Sequence, residues 1–328
     1  MASKQIVIAT NSGDHPNCHV VVAQLLDRGY EPIVIEADSI ANGSASFSMG
    51  LTSSGEPQVT YKGQNLDVRR IGAAWFRRPH YYGNIKNRLR WEMIREEYEA
   101  VHDSFCDLIP EDAWLNSPGR MRTADVKMPQ LLTAASLGFE IPDSTITNDW
   151  EIVETLPSKE VIIKFITRST VPLDNGGYKA LPTTILSRRK LPKHGTPYPG
   201  LWQTFIPKKR EWRITVVGDK VFCAAIYTGA NAKNDWRQHQ FDEKRVTFKA
   251  EELPRKYQKL CIAYTKHYGL HYGAFDLVER PDGSIVFLEI NAAGQFMWIE
   301  EKLGLPISAA IVDCLIGIAE QRAETVKN

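Results

Sequence analysis

The sequence has few cysteines, and their arrangement fits neither a disulfide framework nor a zinc site. The five thiols are scattered along 328 residues, with no Cys-x-x-Cys pair, at Cys18, Cys106, Cys223, Cys261 and Cys314. Disulfide-rich domains and structural zinc sites both use closely spaced cysteines. We therefore expect free thiols in a reducing compartment, and so a cytoplasmic protein.

An excess of one charge and long apolar runs are also missing. The 40 Lys and Arg residues nearly balance the 39 Asp and Glu residues, for a formal net charge of +1. A general nucleic-acid-binding protein would be clearly basic, so we expect no nucleic-acid partner. The apolar run at residues 6–9 is too short for a signal-peptide core. The stretch 307–319 carries Asp313 and is too short to span a bilayer, so no membrane association is expected.

The G-x-G-x-x-G turn of dinucleotide-binding domains is absent, so no nicotinamide or flavin site is predicted. The N-terminal segment instead follows the pattern strand, helix, strand over residues 5–10, about 18–28 and 32–36, which indicates a parallel α/β layer. A chain of this length usually forms more than one core. We predict an α/β (α+β) protein with a parallel N-terminal domain (1–115), a central domain (116–200) and a C-terminal domain with an antiparallel sheet (201–328).

The most informative segment is a predicted hairpin over residues 273–291. Asp282 and Gly283 are a strong turn signal. With these two residues at the tip, Asp276 lies directly opposite Glu289, and such cross-strand side chains are about 5 Å apart on one face. Asn291, two residues further on, shares the face of Glu289. The hairpin therefore predicts two carboxylates and one amide oxygen on the same side of a sheet.

Two facing carboxylates repel each other, so something must offset their repulsion. Carboxylate and amide oxygens are the ligands that Mg²⁺ prefers. The alternative is a solvated sheet face, on which the acids belong to a structural ion network. The flanking apolar residues predict buried strands and favour the metal site; they are Phe275, Leu277, Phe287, Leu288 and Ile290.

This constellation resembles the metal-binding end of the ATP-grasp ligases, whose signature is an Asp followed by Glu-x-Asn. The resemblance implies an ATP-grasp fold, ATP and Mg²⁺ as cofactors, and Asp276, Glu289 and Asn291 as metal ligands.

Further positions match the family in order. Two lysines match those that contact the phosphates, a strand matches the hinge that holds adenine through its backbone, and an acid matches the one that takes the ribose hydroxyls. These nucleotide-binding positions are Lys127, Lys164, Gln203, Phe205, Ile206 and Glu211. Arg213 and Arg237 match arginines near the γ-phosphate and the acyl group, which implies catalytic roles. A single lysine or arginine is usually a solvated surface residue, so the order and context of the whole set carry the argument.

Within this superfamily, the chain is similar to the microviridin-type graspetide ligases over almost its whole length. The similarity rests on six segments: AWFRRP at 74–79, WLNSP at 114–118, LGFEIP at 137–142, DWR at 235–237, FLEINAAGQ at 287–295 and WIE at 298–300. The family's last motif has Pro-Asn before its Gly and Trp after its Gln. Here Ala292, Ala293 and Phe296 stand instead, while the implied metal ligands are retained.

The resemblance implies an enzyme that closes ester or amide rings in a ribosomally made precursor peptide through an acyl phosphate. The partner would be a precursor with a leader segment and an acidic core, and the enzyme would be a homodimer, with a long predicted helix at about 87–108 as a possible surface. An acidic peptide would explain the basic clusters at 188–190 and 208–210, for which a solvated turn is the alternative.

Two other functions stay open at this point. One is a ligase of the same fold that adds free amino acids, like glutathione synthetase or the ribosomal-protein glutamate ligases. The N-terminal AWFRRP segment argues against it. The other is a non-catalytic nucleotide- or peptide-binding relative, which the retained lysines, arginines and metal ligands disfavour.

Overall fold

A computed structural model describes residues 4–77, 79, 88–166, 170–172, 178–180, 184–187, 198–229, 242 and 245–325. The α-helices in this part of the chain are α1 His15–Asp27, α2 Ala37–Ala41, α3 Arg88–Leu108, α4 Pro118–Ala124, α5 Lys127–Leu137, α6 Trp150–Glu154, α7 Arg255–His267, α8 Met297–Leu303 and α9 Ile307–Thr325.

The strands described there form parallel and antiparallel sheets. They are β1 Gln5–Thr10, β2 Glu31–Glu36, β3 Phe47–Leu51, β4 Pro57–Tyr61, β5 Gln64–Leu66, β6 Ala73–Phe76, β7 Ser144–Thr147, β8 Glu160–Lys164, β9 Thr170–Pro172, β10 Tyr178–Ala180, β11 Thr184–Ser187, β12 Gly200–Thr204, β13 Arg210–Val217, β14 Lys220–Thr228, β15 Val246–Ala250, β16 Tyr272–Glu279 and β17 Ile285–Asn291.

The N-terminal sheet is parallel, with strand order β2-β1-β6, which confirms the predicted α/β layer. Side chains alternate across β1 and so enter two cores. Ile6 and Ile8 pack with residues of α1 and of the C-terminal helix α9. Val7 packs on the other face with residues of β4, β5 and α3. The N-terminal core is therefore completed by the last helix of the described chain.

The sequence pattern predicts a single helix over residues 121–137, bent at Pro129. The structure instead has two helices between Ser117 and Leu137. The helix breaks at 125–126, into α4 and α5. Ser117 caps α4 by accepting the Arg120 N–H at 3.3 Å. Pro129 lies in the first turn of α5, where a missing N–H has no helical partner to lose. The proline therefore starts a helix and does not bend one.

The rest of the described chain forms two larger sheets in addition to the short β9-β10 and β3-β4-β5 ones. A four-stranded antiparallel sheet has the order β11-β8-β12-β7, and a five-stranded antiparallel sheet has the order β15-β14-β13-β16-β17. The antiparallel C-terminal sheet is as predicted. Strand β12 pairs with β7 and β8, so the chain leaves the four-stranded sheet after Thr204. The divisions at 115/116 and 200/201 stay predictions.

Among the described residues, none of the helices is both long enough and apolar enough to cross a bilayer.

Candidate functional site

The acidic hairpin β16–β17 lies at an edge of the five-stranded sheet, and Asp276 does pair with Glu289. The predicted two-residue tip is wrong. The loop has three residues, because the Arg280 N–H donates to the Ser284 carbonyl at 2.9 Å and the Gly283 N–H donates to the Arg280 carbonyl at 3.0 Å. Gly283 has φ of +88°, the left-handed conformation that closes such a loop.

A β-bulge brings the two acids opposite each other despite the longer loop. Leu277 pairs with Phe287 and Asp276 pairs with Glu289, so Leu288 is the extra residue. The bulge shifts the alternation by one position. Phe287 before the bulge and Ile290 after it both enter the same core, while Glu289 and Asn291 keep solvent access.

Each acid of the pair contacts a cation. Arg213 lies opposite Asp276 on the neighbouring strand β13, and its Nη1 is 2.9 Å from Asp276 Oδ1. Lys127, at the start of α5, places Nζ 2.9 Å from Glu289 Oε2. All four side chains are largely withdrawn from water, and the most exposed, Glu289, keeps 31% of its surface. The cations therefore offset the repulsion between the facing carboxylates.

The acids hold Lys127 in its charged form. Burial disfavours the ammonium, but Glu289, with Asp125 and Asp276, outweighs that effect and raises the pKa of Lys127. A lysine that stays protonated in a partly buried acidic cluster is suited to contact phosphate oxygens.

The position of Lys127 is fixed one turn further along α5 by Gln130, which sequence reasoning did not select. The buried Gln130 amide accepts the Ile290 N–H at 3.2 Å and donates to the Ile290 carbonyl at 3.0 Å. Its Nε2 also donates to the Ala124 carbonyl at 2.9 Å, at the end of α4. One side chain thus joins both helices to the residue next to Glu289.

A second buried amide, Asn116, holds the two strands of the hairpin at their far end. Its Oδ1 accepts the N–H groups of His271 and Tyr272, at 2.8 and 3.0 Å. Its Nδ2 donates to the Tyr272 and Ala292 carbonyls, at 2.8 and 2.9 Å. The WLNSP segment is therefore a structural clamp on the acidic hairpin. The only signal for it in the sequence is its place in that motif.

The oxygen donors of this group suit a small divalent cation. Asn291 is exposed beside the acids, and its Oδ1 accepts the Ala293 N–H at 2.9 Å, which orients the amide. No group of three or more His, Cys, Asp or Glu side chains in the described part of the chain could hold a metal ion. A site here would use two carboxylates and one amide and leave the other positions to water and phosphate, as Mg²⁺ sites commonly do.

The site also contains a guanidinium that the described protein groups do not saturate. Within the described residues, the buried Nε of Arg213 has no hydrogen-bond partner, while its Nη2 donates to the Gln295 carbonyl at 3.4 Å. An unsatisfied buried donor is costly. It fits a site that receives an anion, as the predicted role of Arg213 near the γ-phosphate requires.

The remaining nucleotide-binding candidates lie on or beside the four-stranded sheet. Lys164 ends β8 opposite Leu201 and lines a cavity of about 240 Å³ with Phe165 and Tyr198 among its walls. Gln203 is buried in β12 and donates to Ser144 Oγ at 2.9 Å. The Phe205 N–H donates to the Glu160 carbonyl at 3.1 Å, and Ile206 follows it, half-buried. Phe205 and Ile206 lie on the connection from β12 to β13.

Glu211 and the basic cluster 208–210 form ion pairs with each other and with nearby acids. Glu211, two residues before Arg213, contacts Lys208. Lys209 and Arg210 both pair with Glu279, at 3.0 and 2.6 Å, and Arg210 also contacts Glu251. These ion pairs connect the basic cluster to the sheet, and its suggested interaction with an acidic peptide stays a prediction.

Several predicted positions lie outside the described residues. They are Arg237, the basic cluster at 188–190, and the loop at 175–177, whose two glycines predict a flexible cover over the phosphates. Arg77 of the AWFRRP segment is described and is buried.

Comparison with family models gives matches to two separate parts of the chain. Residues 5–122 match the MvdD pre-ATP-grasp domain, and residues 189–315 match the RimK-like ATP-grasp domain. Comparison with curated proteins gives no significant match.

Solved structures of similar architecture cover nearly all of the chain. A RiPP-associated ATP-grasp ligase of Chryseobacterium gregarium, in complex with ADP and a leader and core peptide, is 27% identical, with a TM-score of 0.82 over 95% of this chain and 96% of that one. The macrocyclase MdnC of Microcystis aeruginosa MRC, bound with precursor peptide MdnA, is 23% identical, with a TM-score of 0.77 over 95% and 99%. The ATP-grasp ligase PsnB, complexed with minimal precursor, Mg and ADP, is 21% identical, with a TM-score of 0.75 over 97% and 98%.

Three observations lead to the same assignment. They are the order of the two matched domains, the shared architecture, and the acidic hairpin with its two cations. The chain carries an MvdD-type pre-ATP-grasp domain followed by a RimK-like ATP-grasp domain, and it is an ATP-grasp ligase.

Proposed function

We propose that this ligase uses MgATP to form ester or amide crosslinks between side chains of a ribosomally made precursor peptide. The observation that carries the proposal is the similarity of the whole chain, including the N-terminal domain at residues 5–122, to a ligase in complex with a leader and core peptide. A nucleotide site alone would fit any ATP-grasp ligase. The match of residues 5–122 to the MvdD pre-ATP-grasp domain supports a peptide-modifying ligase over an amino-acid ligase.

In the proposed reaction, a carboxylate of the peptide attacks the γ-phosphate of ATP, and ADP leaves. The resulting acyl phosphate is captured by a hydroxyl or an amine of the same peptide, with release of phosphate and formation of the ester or amide. Phosphoryl transfer depends mainly on positioning and on neutralisation of charge. Bound Mg²⁺ would supply part of that neutralisation.

The described residues have distinct tasks in this scheme. Asp276, Glu289 and Asn291 would hold the cation. Lys127 already contacts Glu289, so it can contact a phosphate oxygen at the edge of that cation site. Arg213 contacts Asp276 through Nη1 and has Nε left for the transferred group. Lys164 would bind phosphates from the four-stranded sheet, and Arg237 would hold the acyl group.

The test is mass spectrometry of the precursor peptide encoded beside this gene, after incubation with the protein and MgATP. The proposal expects the loss of one water mass for each bond formed, only when ATP is present. Alkaline hydrolysis then separates esters, which regain water, from amides, which do not. The Glu289→Gln variant is the matched control for adventitious dehydration.

The match to a RimK-like domain favours a second candidate, a ligase that adds free amino acids to an acceptor. In the same assay, this candidate expects an intact precursor mass and ATP consumption that depends on added amino acids. That result would replace the macrocyclase proposal.

The remaining expectations are a homodimer, a cytoplasmic location and the absence of a nucleic-acid partner. Light scattering on the purified protein tests the dimer, and fractionation of the source cells tests the location. A monomer at all concentrations would remove the dimer from the proposal without affecting the chemistry.

A further inference from the structure

A buried ion pair connects the N-terminal domain with the chain segment just after β17, the strand that carries Glu289 and Asn291. Arg77, at the end of β6, and Asp14, before α1, are 2.7 Å apart between Nε and Oδ2. Their side chains keep only 2% and 4% of their surface exposed. Asn17 joins them by donating to Asp14 Oδ1 at 2.9 Å. All three side chains come from the N-terminal domain.

These side chains contact the backbone of the turn at 292–297, which follows Asn291. The Arg77 Nη1 donates to the Ala293 carbonyl and, at 3.2 Å, to the Gly294 carbonyl. The Asn17 Oδ1 accepts the N–H groups of Phe296 and Met297, at 3.4 and 3.2 Å. Arg77 and Asn17 together therefore bind four peptide groups within five consecutive residues.

The opposite side of this turn touches the candidate site. A Cβ added to Gly294 would lie 2.7 Å from Arg213 Nη2 and 2.4 Å from Ala274 Cβ, so only glycine permits this approach. Arg213 Nη2 donates to the Gln295 carbonyl at 3.4 Å. The Gly294 N–H donates to the Asn291 carbonyl at 3.2 Å. Any shift of the turn is thus transmitted to Arg213 and Asn291.

Stability alone does not account for the buried charges. Replacing a buried ion pair with apolar residues is often neutral or stabilising, because desolvation of the two charges is costly. Arg77 offers several donors in a fixed geometry, which suits the positioning of carbonyl groups.

We infer that Arg77 is a positioning residue for Mg²⁺-dependent nucleotide binding, and that it acts from the N-terminal domain through the Ala293–Gly294 carbonyls. Asp14 fixes the Arg77 guanidinium, and Arg77 holds the turn against Arg213. Arg77 thereby sets the direction that the backbone takes after Asn291, the last residue of β17. This inference rests on the proposed MgATP site and adds to it a requirement for the N-terminal domain.

The experiment measures the dissociation constant of the non-hydrolysable analogue AMPPNP, with and without Mg²⁺, by isothermal titration calorimetry. In Arg77→Gln combined with Asp14→Asn, we expect the Mg²⁺-dependent gain in affinity to fall by about tenfold or more, as for other residues that orient metal ligands. Affinity without Mg²⁺ should change by less than about threefold, because the adenine and ribose contacts are elsewhere. Arg77→Lys, which keeps the charge and one donor, should recover part of the gain.

Two further variants separate positioning from loss of the fold. Gly294→Ala disturbs the same turn from the opposite side and should give the same loss of Mg²⁺-dependent affinity. Ser308→Ala is the matched control: Ser308 is buried and joins the domains through Gln24 Nε2 at 2.9 Å, but it does not touch the turn. It should lower the melting temperature without changing the Mg²⁺ dependence.

An unchanged Mg²⁺ dependence in folded Arg77→Lys and Gly294→Ala proteins would overturn the inference. Equal losses with and without Mg²⁺, as in a generally loosened protein, would also overturn it. If the wild-type protein binds AMPPNP with no effect of Mg²⁺, then the proposed site itself is wrong, and the inference is wrong with it.

Discussion

At the scale of single residues, the candidate site is a set of charges that neutralise each other in pairs. Asp276 and Glu289 would repel each other across the strands, but Arg213 and Lys127 each contact one of them. The same cations are those that a bound nucleotide would need. The charges therefore serve two purposes: they stabilise the hairpin and they supply positive charge where phosphates would lie.

Glu289→Gln should abolish turnover. A loss of at least a hundredfold is expected, because Glu289 is a proposed metal ligand and pairs with Lys127, which is proposed to bind phosphate. It should leave the cooperative melting transition in place. The pKa of Lys127 should fall, because burial would no longer be outweighed by the nearest carboxylate. Turnover by mass spectrometry and the pH dependence of lysine labelling measure the two effects, and an unchanged Lys127 pKa would contradict the pairing.

Lys164→Met tests the lysine on the four-stranded sheet. The side-chain length is kept and the charge is lost, so turnover should fall strongly while thermal stability changes by less than about 1 kcal/mol, as for other partly exposed sites. Lys209→Met is a suitable control, since Lys209 pairs with Glu279 at the loop end of β16 and not with Asp276 or Glu289. Equal turnover in the two variants would remove Lys164 from the site.

At the scale of elements, strands and helices are placed by buried amides and ion networks that the local pattern does not reveal. The sequence predicts the hairpin, its facing acids and the shared face of Asn291. It does not reveal the three-residue loop or the bulge at Leu288, because the apolar run at 285–288 hides the alternation. Gln130 bonds Ile290 from 160 positions away, and Asn116 bonds Tyr272 from 156. Contacts between such distant positions leave no local signal.

Gln130→Ala should loosen the joint between α5 and β17. It leaves the Ile290 N–H and carbonyl buried without partners, which costs about 2–3 kcal/mol. Nucleotide affinity should also fall, because Lys127 lies one turn away. Thr133→Ala is the control on the same helix: it removes the 2.9 Å bond to Tyr268 and should reduce stability without changing nucleotide affinity. Chemical denaturation and calorimetry provide both measurements.

Glu279 anchors the start of β13, and its substitution should change the response to acid. Burial opposes its charge, but hydrogen bonds from Arg210, Lys209 and Trp212 outweigh burial and lower the pKa of Glu279. A carboxylate with a lowered pKa stabilises the fold at neutral pH, and this contribution is lost as pH falls below the ordinary glutamate value of 4.5.

In Glu279→Gln, the melting temperature should therefore be lower than in the wild type at pH 7. The loss corresponds to about 3 kcal/mol, the cost of breaking a buried pair. The difference should be constant above about pH 5.5 and should shrink as the pH falls below 4.5. Thermal melts across this range measure it, and a difference that does not vary with pH would rule out the charge as its source.

At the scale of the whole molecule, the N-terminal and C-terminal parts of the chain share one core. Ile6 and Ile8 of β1 pack in the same cluster as Ile311 and Leu315 of α9. Ile311→Ala should therefore lower the free energy of unfolding by about 3 kcal/mol, with both parts melting in a single transition.

The matched control for this variant is Leu132→Ala. The Leu132 side chain is 71% exposed, so this substitution should lower the free energy of unfolding by less than about 0.5 kcal/mol. Limited proteolysis during the melt reports on the two ends of the chain separately. Separate transitions for the two ends would show that the cluster does not couple them.

The shared core also has a consequence for synthesis of the chain. Domains commonly fold one after another as the ribosome produces them, starting at the N-terminus. Here the cluster that Ile6 and Ile8 of β1 form with Val21 and Leu25 of α1 stays incomplete until the codons for Ile307–Thr325 have been translated. A stalled or prematurely terminated product that lacks α9 would therefore leave the α9-facing side of this cluster exposed and prone to aggregation.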